Sequence, residues 1–255
     1  MIFLFLYLLN PIQDFLNNKN TQPNIVFIMA DDLGFGHLGS YGQKKIKTPN
    51  LDTLAEEGLR FTQFYSGSTV CGPARSTLMT GYHTGHTSVR GNTGGIPLLD
   101  EDVTIAEVLK PEGYATGMFG KWGLGDFDTP GTPDKQGFDE YFGYLHQVHA
   151  HFYYHEYLWD NGEKFFLKGN EDGNRAQYTH DLITGKALDF IERNSENPFF
   201  LYVGYTIPHT ELLVPEDSLS NYLGKWDEPN PYVGHHYASQ PHPRAAFAGM
   251  VSRMD

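Results

Sequence analysis

Short apolar runs alternate with amphipathic stretches along most of the chain. In NIVFIMADD, residues 24–32, a β-rich run from Ile25 to Met29 ends abruptly in two acids, which predicts a buried strand carrying Asp31 and Asp32 at its end. TPNLDTLAEEGL puts Leu51, Leu54 and Ala55 on one helical face, with Gly58 as a stop. RFTQFYS predicts a strand, the residues after Cys71 a helix, TIAEVLKPEG a helix and YATGMFG a strand. Later, HDLITGKALDFIERN sets Leu182, Ile183, Ala187, Phe190 and Ile191 on one face of a helix, and PFFLYVGY reads as another buried strand. This alternation predicts an α/β fold, a mostly parallel sheet covered by helices, with its chemistry at the carboxyl ends of the strands.

Three stretches break the pattern. Residues 126–178 are rich in Gly, Asp, His and aromatics without a sustained period, and are expected to form an insertion over the site within a domain spanning 21–255. HPRAAFAGMVSRMD has Phe247, Met250, Val251 and Met254 at helical spacing but no stop signal, so the chain is expected to be an N-terminal fragment. MIFLFLYLLNPIQ has the length of an export-signal core but lacks a preceding Lys or Arg and a small-residue cleavage site. Residues 1–20 therefore read either as a leader, implying a secreted or periplasmic protein, or as a buried first segment. No later run reaches the roughly 20 apolar residues of a membrane span.

Charge narrows the partners. Lys and Arg total 18 against 31 Asp and Glu, a formal net charge of −13, which argues against nucleic acid. An anionic substrate must then be held by local cations or a metal, because the overall field repels it. The single cysteine excludes an intrachain disulfide framework.

That cysteine stands in STVCGPARSTLMTG, residues 68–81. A lone cysteine is most often a small buried hydrophobe. Here Pro73 suits a first helical turn and Gly81 a helix stop, so Cys71 falls at a helix N-terminus, where free N–H groups and the dipole favour an anion. Arg75 lies one turn on and can face the same end. A nucleophile, a cation and N–H donors would converge there as an oxyanion site.

Cys71-Gly72-Pro73-Ala74-Arg75 with the following STLMTG closely resembles the signature of the type I sulfatases. NIVFIMADD resembles that family's first strand, GYATGMFGKWGLG (residues 113–125) its second signature, and YTIPHTEL (residues 205–212) the segment that brings in a histidine. The resemblance implies an alkaline-phosphatase-like sandwich, a mostly parallel mixed sheet with helices on both faces. It also implies that a maturation enzyme converts Cys71 to formylglycine. One hydroxyl of the hydrated aldehyde, activated by a divalent cation, would attack the sulfur of a sulfate ester on a small molecule or glycan, and loss of the second hydroxyl's proton would release the sulfate. By the same resemblance Asp31, Asp32 and residue 71 would bind the cation, Ca²⁺ or alternatively Mg²⁺; Arg75 would steady the alkoxide; Lys121 would bind a sulfate oxygen; and His209 would contact the ester and protonate the leaving oxygen.

Two departures stand out. Many family members carry a histidine two residues beyond the lysine, assigned to proton removal, where this chain has Gly123. The family also takes an acid–Asn pair and a second lysine from a segment that this chain does not contain, which leaves the cation short of the about six to eight oxygens that Ca²⁺ prefers, so the chain by itself is expected to be inactive or very weak.

Plainer readings stand beside these. Asp31 and Asp32 could cap the next segment, Lys121 could be a solvated surface charge, and His209 could be a loop residue. His146, His149, His151 and His155 have spacings that can bind Zn²⁺, but with their aromatic neighbours they suit a sugar-stacking surface better, and His151 is the candidate substrate contact. Arg90 and Asn92 could read a second group on the substrate or stabilise a turn. A phosphate or phosphonate ester hydrolase, or a glycan-binding relative that keeps Cys71 as a thiol, are the alternatives to a sulfatase.

Overall fold

The computed structural model describes residues 22–92, 96–228 and 230–255; the expected leader, residues 1–20, lies outside them. Among the described residues one mixed sheet forms in the order β1-β6-β2-β3-β4-β5. Its strands are β1 (Ile25–Asp31), β2 (Ala115–Lys121), β3 (Glu140–Tyr144), β4 (Tyr157–Asp160), β5 (Glu163–Phe166) and β6 (Phe199–Pro208). β1, β6, β2 and β3 run parallel, and β4 and β5 add an antiparallel hairpin at one edge.

The helices are α1 (Pro49–Glu57), α2 (Cys71–Thr80), α3 (Ile105–Leu109), α4 (Thr179–Arg193), α5 (Glu216–Leu219) and α6 (Pro243–Met254). Strand β6 explains how they are arranged. Its residues are buried on both faces, and the two-residue period sorts them into separate cores. Phe200 and Tyr202 pack with Met118, Trp122, Met79 of α2 and Ala106 of α3. Phe199, Leu201 and Val203 pack with Phe119 and with Ile183, Ala187 and Phe190 of α4. Helices therefore cover both faces, as an alkaline-phosphatase-like sandwich requires. No helix among the described residues is long and apolar enough to cross a membrane.

Three expectations need correction. β1 forms as predicted but is a sheet edge, packed through Ile25, Phe27 and Met29 while Val26 and Ile28 stay exposed. RFTQFYS is not a strand: alternation makes a strand only beside a partner, and these residues have none. Phe61 and Phe64 instead pack on each other, 5.8 Å between ring centres. Residues 126–178 are more than an irregular insertion, because they supply β3, β4 and β5. The β4–β5 turn is Asn161-Gly162, both at positive φ, a two-residue hairpin signal set among aromatics.

Helix α4 tests the two-core arrangement. Phe190 is buried against Phe119 and Phe199, whereas Leu188 is largely exposed. Phe190→Ala is expected to lower the unfolding free energy by about 3–5 kcal/mol in urea titration, and Leu188→Ser by no more than about 0.5 kcal/mol. Equal losses would contradict the packing.

Candidate active site

Three parallel strand ends and one helix start meet at a single place. Asp31 closes β1, Lys121 closes β2, and His209 follows β6 directly. Helix α2 begins at Cys71 and ends on Gly81, whose left-handed backbone (φ 70°) returns an N–H to the Thr77 carbonyl. The N-cap, Val70, offers no side-chain acceptor, so the Gly72 N–H is taken by Asn92 Oδ1 at 2.8 Å. Asn92 thus lies behind the first turn of α2. Arg90 donates from Nε to the Thr87 carbonyl at 2.9 Å.

Charge concentrates around Asp31. Lys121 Nζ lies 2.6 Å from Asp31 Oδ2, and Arg75 Nη2 lies 3.6 Å from the same oxygen. Both cationic side chains are completely buried. Burial alone would raise the Asp31 carboxyl, but the charges of Arg75 and Lys121 overcome it and hold the group down at about 2. Arg75 is locked in place: Nη1 donates to the Lys121 carbonyl and to the Tyr202 hydroxyl, both at 2.7 Å. Gly204 makes this possible, since a β-carbon there would come within 2.9 Å of Arg75 Nη1 and 2.4 Å of the Lys121 carbonyl oxygen. Arg75 Nε and Nη2 have no hydrogen-bond acceptor. Two buried cations against one carboxylate, with guanidinium donors unused, leave the cluster short of an anion.

Cys71 completes this centre. Its half-buried thiol donates to Asp31 Oδ1 at 3.4 Å. Burial raises the thiol above its ordinary value, against the pull of Lys121, so as a thiol it stays protonated and is a weak nucleophile. Asp31, Cys71 and His209 offer ligand atoms within 4.8 Å of one another. Asp32 turns the chain at positive φ, leaves its carboxylate largely exposed, and places Oδ2 3.5 Å from His209 Nε2. For a hard cation the Asp31 carboxylate beside position 71 fits in kind, and Asp32, outside the group of Asp31, Cys71 and His209, touches that group through His209. The described residues supply only part of a full oxygen shell.

Histidine 151 joins from the turn after β3. Its Nε2 lies 3.4 Å from Lys121 Nζ, its Nδ1 lies 3.2 Å from the Tyr237 hydroxyl, and its ring stacks on His209 at 4.3 Å. The Lys121 ammonium can only donate, so Nε2 accepts and Nδ1 carries the proton toward Tyr237. Burial, with Lys121 and His209 beside it, lowers His151 to about 3. It is uncharged at neutral pH. Residues Tyr202, Tyr237 and Gln147 were not singled out from sequence; Tyr202 alone gave a signal, since a buried phenol needs a partner.

Gly123 has a structural basis. Its φ of +75° disfavours any side chain, and a β-carbon there would come within 2.1 Å of the Gln147 amide nitrogen. That amide donates to the Gly123 carbonyl at 3.0 Å. The space a side chain at 123 would use is therefore filled by Gln147. His146, His149, His151 and His155 do not gather into a three-ligand metal group among the described residues.

The family model described as Sulfatase matches residues 23–255. An arylsulfatase of Hemicentrotus pulcherrimus is 36% identical over 224 residues, which cover 77% of this chain and 39% of that protein. The crystal structure of Ps i-CgsB in complex with k-i-k-neocarrahexaose superposes with a TM-score of 0.73 at 30% identity, covering 91% of this chain and 52% of that one. The structure of BT4656 in complex with D-glucosamine-2-N,6-O-disulfate gives 0.68 at 29% identity, covering 82% and 39%. The chain spans less than half the length of the curated relatives it matches.

Buried neutral histidines set an acid limit. Burial lowers His149 and His151 to about 3 and His180 to about 4, below the ordinary 6.5. Between those values and 6.5 the unfolded chain binds more protons, so stability is full above about pH 6.5 and falls as the pH drops. The ionised Asp31 adds its own loss only below about pH 4. Melting temperature is expected to fall from pH 7 to pH 4.5, less steeply in His180→Gln; an unchanged slope would remove His180 from the account.

Proposed function

The chain belongs to the sulfatase family, and from that membership we propose that it hydrolyses sulfate monoesters carried on a carbohydrate, with residue 71 bearing the nucleophile. One observation carries the reading: Cys71 stands 3.4 Å from Asp31 beside two buried cations, Arg75 and Lys121, whose donors exceed the acceptors present. A tetrahedral oxyanion supplies the missing acceptors. The solved relatives bound to a neocarrahexaose and to a glucosamine disulfate support a sugar as the carrier.

In this proposal Asp31, Asp32 and residue 71 hold a divalent cation, Ca²⁺ in the first instance. That ion, with formylglycine formed from Cys71 by a maturation enzyme, would supply an acidified hydroxyl and Lewis-acid stabilisation of the sulfate ester. Arg75 keeps positive charge against the oxygen of residue 71, fixed by Tyr202 and the Lys121 carbonyl. Lys121 binds a sulfate oxygen through Nζ. His209 gives a proton to the leaving sugar oxygen. His151, stacked on His209 at 4.3 Å and within 3.4 Å of Lys121 Nζ, would contact the substrate. Asn92 holds the first turn of α2 through the Gly72 N–H, and Arg90, anchored on the Thr87 carbonyl, would read a second group on the substrate.

The test is sulfate release from 4-nitrophenyl sulfate, set beside the matched phosphate ester, by the chain extended through the segment that supplies the family's remaining metal ligands and co-expressed with a formylglycine-generating enzyme. Faster cleavage of the sulfate is expected, and Cys71→Ala should abolish it. His209→Ala should slow a sugar sulfate by about 10²–10⁴-fold but barely slow the nitrophenyl ester, whose leaving oxygen needs no proton. Preference for the phosphate would assign the site to phosphate or phosphonate esters. Absence of both activities in matured protein would favour a glycan-binding role.

A further inference from the structure

Residues 232–240 fold back on themselves and carry Tyr237 to the charge cluster around Asp31. The loop is closed at its base, where Tyr232 and Gln240 exchange backbone hydrogen bonds, each of 2.9 Å. Two buried side chains tie it to the segment that follows His209. The Ala238 N–H donates to Glu211 Oε2 at 3.1 Å, and Gln240 Nε2 donates to the Leu212 carbonyl at 2.7 Å. His209 and Tyr237 are thus held by one set of contacts, their rings edge to face at 6.4 Å. The Tyr237 ring also packs on His236 and Phe152, at 4.9 and 6.2 Å.

The phenol has a hydrogen to spare. His151 lies between Lys121 Nζ at 3.4 Å and the Tyr237 hydroxyl at 3.2 Å. Because the ammonium takes up the Nε2 lone pair, Nδ1 carries the ring proton and the Tyr237 oxygen accepts it. The Tyr237 O–H is then left to donate. Its contact with His151 is the only hydrogen bond the hydroxyl makes among the described residues. Burial, with Tyr232, Asp32 and residue 71 nearby, raises the phenol above its ordinary value, so the hydrogen stays on at neutral pH. A half-buried donor without an acceptor therefore stands beside two buried cations whose donors also exceed the acceptors present. A tetrahedral oxyanion would satisfy both.

We propose that Tyr237 is a further substrate-binding residue, donating its O–H to an oxygen of the sulfate group held by Lys121 and His209 beside residue 71. Only the naming of that anion as a sulfate rests on the sulfatase reading. A phenol suits the place because its hydrogen bond strengthens as negative charge grows on the oxygen, and it adds no third positive charge to two buried cations.

Binding of inorganic sulfate to the full chain gives the readout, as the rise in melting temperature over sodium chloride at equal ionic strength. Each protein's rise is taken from its own melting point in chloride, so a change in stability alone does not count. Tyr237→Phe keeps the ring against His236 and Phe152 and removes only the hydroxyl. It is expected to bind sulfate about tenfold more weakly than wild type. The imidazole ¹⁵N resonances of His151 should show the Nδ1–H tautomer in both proteins, since Lys121 still donates to Nε2. Equal binding by the two proteins overturns the proposal and leaves the oxyanion site standing. Weaker binding together with a switched His151 tautomer also overturns it, because Tyr237 would then act through His151. Absence of sulfate binding in wild type would remove the oxyanion site itself, and with it the ground of the sulfatase reading.

Discussion

Asp31 is the residue on which the site depends. It ends β1, accepts from the Cys71 thiol through one oxygen, and meets Lys121 and Arg75 at the other. Both cations are fully buried, and a buried charge is tolerable only when it is paired. Removing the carboxylate would leave two ammonium-type charges facing each other in the interior. The same carboxylate that makes the cations tolerable also fixes where the nucleophile stands.

The fold supplies that arrangement by register. Parallel pairing of β1, β6 and β2 brings three strand ends to one level, so Asp31, Lys121 and His209 come together from positions far apart in the chain. Gly204 on the central strand leaves room for the Arg75 guanidinium. The β2–β3 pair then carries the chain to His151. Asp31, Lys121, residue 71 and Arg75 are thus attached to strands or a helix, which keeps donors oriented without reorganisation.

Much of this was legible in the sequence because the signals were local. A strand ending in acids and a cysteine at a helix start announce themselves within about ten residues, whereas Lys121 and His209 were implied by the family resemblance and His151 by its aromatic setting; these do converge with Asp31, Cys71 and Arg75. What depended on distant partners was not legible. RFTQFYS has strand alternation but no neighbour to pair with, and β1 has an apolar face that stays open. β3 to β5 are short strands among turns, where periodicity is weakest, and the Asn161-Gly162 hairpin signal went unread among the aromatics. Tyr237 and Gln147 reach the site from loops, and only coordinates show that Gln147 occupies the space beside Gly123.

All of the chemistry assigned to this centre requires that residue 71 cease to be a sulfhydryl. Mass spectrometry of the tryptic peptide containing residue 71, from protein made together with the maturation enzyme, examines that directly. The account predicts a lighter peptide that forms a hydrazone and resists alkylation. A peptide of unchanged mass that alkylates fully at Cys71 would contradict it.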